Sequence, residues 1–110
     1  ETQGWPLGAL VAQGCHAAVA AIAESRHDPD VEAYTAPEAI DHMRKAVLEV
    51  KGEPQLLALA ERLSSAGISF KLWKEQPENI NTCLATKPAR KSIVQSHMKK
   101  CQLSSWHATK

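Results

Sequence analysis

The stretch "WPLGALVAQGCHAAVAAIA", residues 5–23, decides how the rest of the chain is read. Pro6 and Gly8 stand ahead of a run of helix formers, and Arg26, His27, Asp28 and Pro29 break the run after about Glu24. This predicts a first helix over residues 9–24. Ala17, Ala18, Ala20, Ala21 and Ala23 keep it narrow, so it can approach a sheet or another helix closely on more than one side, and we expect it to be buried. Within it Gln13, Cys15 and His16 stand close together. Neighbouring helical residues point about 100° apart, so Cys15 and His16 do not easily form a thiol–imidazole pair. Cys15 is expected to pack in the interior, and His16 reads either as a core histidine or as a site residue.

Outward from this helix, residues 30–35 suit a short second helix carrying Tyr34. "RKAVLEV", residues 44–50, alternates Ala46, Leu48 and Val50 with Val47 and Glu49, a strand pattern that Lys51, Gly52 and Glu53 end. Pro54 followed by Leu56, Leu57, Leu59, Ala60 and Leu63 predicts an amphipathic helix closed by Gly67. Residues 68–73 read as a strand with Phe70 and Leu72 on one face, and "NTCLAT", residues 81–86, as another. Residues 91–103 read as a final helix with Ile93, Val94, His97, Met98 and Cys101 on its apolar side. This order makes an α/β fold with a mixed sheet. Three strands are too few for a first helix this apolar, so we expect a further strand ahead of residue 1.

A chain of 110 residues fits one domain, and a hydrophobic fraction of 44% suits a soluble globular protein. No apolar run looks long and charge-free enough to span a bilayer, and the start carries no secretory pattern. Cys15, Cys83 and Cys101 are odd in number and widely spaced, which suits reduced thiols in a cytoplasmic or mitochondrial compartment. No clustered ligands predict a metal, and no glycine-rich loop predicts a bound nucleotide.

The net charge of +1 hides an asymmetry, because all 12 acids lie at or before Glu78, while Lys87, Arg90, Lys91, Lys99, Lys100 and Lys110 follow it. An acid-free final third suits phosphate contacts to a polyanion such as RNA, or simply a solvated basic helix. In "LWKEQPENINTCLA", residues 72–85, Glu75, Gln76, Asn79 and Thr82 crowd a connection at a strand end. Such connections carry ligands and reactions in α/β folds, although the same residues are also ordinary loop formers.

Four stretches in this order, "WPLGALVAQGCHAAVAA", "AY" at Ala33 and Tyr34, "MRKAVLEV" and "LWKEQPENINTCLATKP", resemble the type-2 peptidyl-tRNA hydrolases. The likeness is nearest to the peptidyl-tRNA hydrolase domain-containing branch and covers nearly the whole chain. It implies a single three-layer domain over residues 1–110, a mixed sheet of about four strands with helices on both faces, and a first strand just before helix one. It also implies hydrolysis of the ester joining a peptide to the 3′ end of tRNA, with no metal or organic cofactor. Typical members open helix one with a lysine-bearing turn; Pro6, Leu7, Gly8 and Ala9 stand there instead.

Residue by residue, Gln13 and His16 match the family's Gln and His, Glu75 stands for its Asp, Asn79 lies nearest its following Thr, and Thr82 matches the Thr opening its last strand. The resemblance thus implies that Glu75 orients or activates water, while Asn79, Gln13 or Thr82 hold substrate or donate to the developing oxyanion. Gly8 and His16 line the substrate side, and Lys45, Lys87, Arg90, Lys91, Lys99 and Lys100 are the candidate grips on the tRNA backbone. The expected partner is tRNA or peptidyl-tRNA, with no membrane, and the protein is a monomer or homodimer. The alternative is a catalytically silent relative that binds RNA or a protein through the same cleft; a small interaction module unrelated to RNA is the third.

Overall fold

In a computed structural model the structure describes residues 5–98 and 101–103. The elements in order are α1 (Leu7–Glu24), α2 (Pro29–Thr35), a 3-10 turn (Ile40–His42), β1 (Leu48–Glu49), α3 (Glu53–Ser65), β2 (Phe70–Glu75), β3 (Ile80–Thr86), α4 (Lys91–Val94), a second 3-10 turn (Gln95–Met98) and β4 (Gln102–Leu103). The α/β reading holds in its coarse form. The expected mixed sheet is not found among the described residues: the strands pair as two separate antiparallel couples, β2 with β3 and β1 with β4. The expected strand ahead of residue 1 lies outside the described residues.

Capping chemistry sets the helix ends. Asp28 accepts the Asp30 N–H at 2.8 Å and Pro29 begins α2, so the break after α1 is also the start of the next helix. Gly52 and Pro54 flank the start of α3, and Gly67, at φ 75°, turns the chain beyond its end. There the Ile68 N–H returns to the Leu63 carbonyl at 3.0 Å.

The β2–β3 hairpin organises the packing. Phe70 and Leu84 point to α3 and pack on a core of Leu59, Leu63 and Ile68, which Val94, Met98 and Cys101 complete from the other end of the chain. Side chains of the alternate register reach α1: Lys71 ion-pairs with Glu24 at 2.8 Å, and Trp73 stacks on His16.

Four expectations change. First, α1 is not buried all round: Gln13, Ala17 and Ala21 form one buried stripe at helical spacing, while Leu7 (71%), Val11 (56%) and Val19 (68%) are exposed. A helix laid along one narrow hairpin can cover only one of its faces. Cys15 is accordingly exposed rather than packed, and His16 is exposed rather than core. Second, α1 is in fact long and apolar enough to cross a membrane by length and composition. Here its Gln13 stripe lies on the hairpin instead.

Third, the strand expected over residues 44–50 is paired only at Leu48 and Glu49, because its partner β4 offers just Leu103 and Gln102. Fourth, the last helix does not run to residue 103. Arg62 donates to the His97 carbonyl at 3.4 Å, and the Cys101 N–H goes to the Met98 carbonyl at 3.0 Å rather than continuing an α ladder from His97. Gln102 and Leu103 pair with β1 instead.

Candidate active site

Gln13 is the buried polar side chain of the described core, 6% exposed. Left unpaired, such a group costs about 1–3 kcal/mol, so its partners define the site. Its amide nitrogen donates to the Ala9 carbonyl at 3.3 Å, and its Oε1 accepts the Thr82 hydroxyl at 2.9 Å. The Cys83 thiol donates to the Gln13 backbone carbonyl at 3.1 Å.

Thr82 reaches Gln13 because the hairpin is irregular there. Trp73 pairs with Cys83 and Lys74 with Asn81, which leaves Thr82 as one extra residue on β3. A bulge of this kind re-aims a side chain. Here it lets consecutive residues, Thr82 and Cys83, both address α1, while Asn81 turns to α3 and donates from its backbone and side chain to Glu53 at 3.2 and 2.9 Å. The single Thr82 hydrogen goes to Gln13 at 2.9 Å, with the Cys83 sulfur as a longer alternative acceptor at 4.0 Å, so in this arrangement its hydroxyl offers lone pairs, not a donor, to a ligand.

Beyond the bulge β2 ends at Glu75, which is half-buried. Its Oε1 accepts the Trp73 indole N–H at 2.9 Å, and the Trp73 ring stacks on His16 with centroids 4.8 Å apart and planes inclined by 27°. The turn to β3 contains a cis Gln76–Pro77 bond and Asn79 at φ 60°, a left-handed conformation that Asn tolerates. The Asn79 N–H closes the turn on the Glu75 carbonyl at 2.7 Å, and Gln76 donates to Asn79 Oδ1 at 3.4 Å. Cys83 links the two groups: burial pushes its thiol up, the negative charge of Glu75 adds to this, and the hydrogen bond with Thr82 opposes it.

Five of the expected site residues are thus drawn to one region: Gln13 and Thr82 in direct contact, His16 and Glu75 through Trp73, and Asn79 in the turn that closes on Glu75. Gly8 lies in the first exposed turn of α1, where a Cβ would meet nothing within 4 Å, so space alone does not require glycine. Two surface concavities of about 550 and 440 Å3, lined by α3 residues such as Arg62 and Ser64, include none of these side chains.

The basic residues disperse. Lys87 bonds the Asp28 carboxylate and lies 3.9 Å from Asp30, so its charge is already paired within the fold. The Lys87 hydrogen bond and charge hold the Asp28 carboxyl below its ordinary range, aided by the Asp30 N–H, and Asp28 in turn raises the Lys87 ammonium. Lys45 donates to the Tyr34 hydroxyl at 2.9 Å and sits 5.1 Å from that ring's centroid. Arg90 caps α4, and it and Lys91 are exposed. Lys99 and Lys100 lie outside the described residues.

Trp73 is the site residue that the sequence reading passed over. Its signal is the two-residue spacing from Glu75, which places both side chains on one side of β2.

The family model for "Peptidyl-tRNA hydrolase PTH2" matches residues 2–104. The protein named "Putative peptidyl-tRNA hydrolase PTRHD1" of Homo sapiens is 48% identical over 99 residues, which cover 90% of this chain and 69% of the relative. The same-named protein of Mus musculus matches with the same identity and coverage. With the Gln13–Thr82 contact and the Glu75 turn lying inside the matched segment, the chain belongs to the PTH2 peptidyl-tRNA hydrolase family.

Proposed function

We propose that the protein hydrolyses the ester between a peptide and the 3′ end of tRNA, with Glu75 as general base. The observation that carries this reading is the half-buried Glu75 carboxylate at the hairpin end, one oxygen held by Trp73 and the region shared with Gln13 and Thr82. Water attacks the ester carbonyl carbon while Glu75 takes its proton. The tetrahedral intermediate then collapses, the bond to the ribose oxygen breaks, and that oxygen leaves carrying the proton that Glu75 returns. A positioned base of this kind contributes about 10²–10⁴-fold. Because the Thr82 hydrogen is committed to Gln13, the Asn79 side-chain amide is the stronger candidate donor to the oxyanion.

The same reading treats residues 1–110 as one cytoplasmic domain, monomeric or homodimeric, with no membrane partner. α1 and α3 on opposite sides of the hairpin support the three-layer part of the family fold. Exposed Arg90 and Lys91, with Lys45, supply phosphate contacts to tRNA, and such contacts weaken steeply with salt. Incubation with N-blocked aminoacyl-tRNA should release free tRNA, at a rate at least about 100-fold lower in Glu75→Gln. Equal release by the two proteins would rule out Glu75 as the base.

Two observations favour a catalytically silent RNA-binding relative: no lysine stands in the first turn of α1, and Lys87 is drawn away to Asp28. Salt-sensitive tRNA binding with no release of free tRNA by the wild type would establish that alternative.

A further inference from the structure

Trp73 takes and gives no proton in the hydrolysis, yet it is the side chain in direct contact with the proposed base. Its ring carries a single donor, the indole N–H, and that donor is given to Glu75 Oε1 at 2.9 Å. The ring cannot swing freely, because His16 of α1 lies stacked against it at 4.8 Å. The second carboxylate oxygen of Glu75 has no partner among the described residues. One oxygen is therefore tied to the fold, and the other is left for water.

We propose that Trp73 is a positioning residue for Glu75: the indole N–H fixes one carboxylate oxygen so that the other meets the attacking water, and His16 holds the indole plane by stacking. The inference rests on the reading of Glu75 as general base. A base works only within hydrogen-bond reach of its proton, and small displacements of a positioned group lower the rate strongly. The device joins α1 to the hairpin end, since the clamp on the indole comes from one element and the carboxylate from the other.

Trp73→Phe keeps an aromatic ring against His16 and removes the N–H. In the N-blocked aminoacyl-tRNA assay it should lower kcat about tenfold with KM within about twofold, because the lost interaction acts on the reacting water and not on tRNA binding. His16→Ala should lower kcat by less, about threefold, through the loosened indole.

A readout independent of activity is the Trp73 indole N–H resonance in the 15N-labelled protein, identified among the three tryptophans as the one missing in Trp73→Phe. It should move in Glu75→Gln while the other two stay. An indole resonance unmoved by Glu75→Gln overturns the inference whether or not the protein is active, as does a fully active Trp73→Phe. A wild type that releases no tRNA, with the indole still responding to Glu75→Gln, sinks the hydrolase reading and leaves the hold on Glu75 standing.

Discussion

The two sides of the β2–β3 hairpin are made from the same thirteen residues, and they serve opposite ends. The side toward α3 presents Phe70 and Leu84 to Leu59, Leu63 and Ile68, an apolar contact in which area removed from water is the stabilising quantity. The side toward α1 presents Lys71, Trp73, Cys83 and Thr82 to Glu24, His16 and Gln13, and almost every contact is a directed one. Alternation along a strand lets one hairpin do both. The lesson is that stability and chemistry are separable here by substitution on one side or the other.

The largest effect expected from breaking this comparison is on the apolar side. Leu63 is fully buried, so Leu63→Ala should cost about 2–5 kcal/mol in a denaturant titration. The folded fraction should keep its kcat; a proportionate fall in kcat would mean that the two sides are not separable.

Next, Gln13→Leu removes the acceptor for the Thr82 hydroxyl while filling the same place in the stripe with an apolar side chain of similar size. It should cost about 1 kcal/mol, the lower end for orphaning a half-buried hydroxyl, but lower activity out of proportion to that. Equal losses in both would assign Gln13 to packing alone.

The thiols sharpen the contrast between the two sides of α1 itself. Cys15 is exposed on the outer side, whereas Cys83 is half-buried beneath α1 with its thiol pushed up by burial and by Glu75. At neutral to mildly alkaline pH, iodoacetamide should modify Cys15 about tenfold faster than Cys83 by mass spectrometry, since only the thiolate reacts. Faster labelling of Cys83 would show the α1–hairpin contact to be open in solution.

The smallest effect concerns the ion pair at the base of the hairpin. Asp28 is depressed by Lys87, so its contribution is present above the ordinary carboxylate value near about 4 and is lost as pH falls through its lowered folded value. Lys87 is raised, so its contribution is present below about 10.4 and is lost as pH rises through its raised folded value. Asn preserves the cap on α2. The Tm of Asp28→Asn should therefore sit slightly below that of the wild type across neutral pH, and the difference should close under acid. A difference that persists in acid would place the effect in the cap, not in the charge.

Much of this was legible in the chain. The 3.6-residue recurrence of Leu56, Leu59, Ala60 and Leu63 gives α3 its buried side, and Gly67 its end. Asp28 and Pro29 mark the break ahead of α2, and alternation around Phe70 with the run at residues 81–86 gives the two strands, though not their antiparallel pairing. The grouping of Glu75, Gln76 and Asn79 was also readable, because a turn is local. β4 was not, since Gln102 and Leu103 are strand only by virtue of Leu48 and Glu49, more than fifty positions away. The destination of Lys87 was equally hidden: a lysine in an acid-free segment reads as a free cation until Asp28 is brought beside it.

What the sequence by itself determined is therefore whatever depends on near neighbours: the ends of α1 and α3, strand alternation, the connection from Glu75 to Asn79 and the family's residues in order. What only the tertiary structure decided is which side of α1 meets the hairpin, and so which polar residues find one another. Gln13 and Thr82 stand 69 positions apart, and a one-residue bulge brings them to 2.9 Å. A hydrogen bond is won or lost over a few tenths of an ångström, a precision that periodicity cannot carry and packing can.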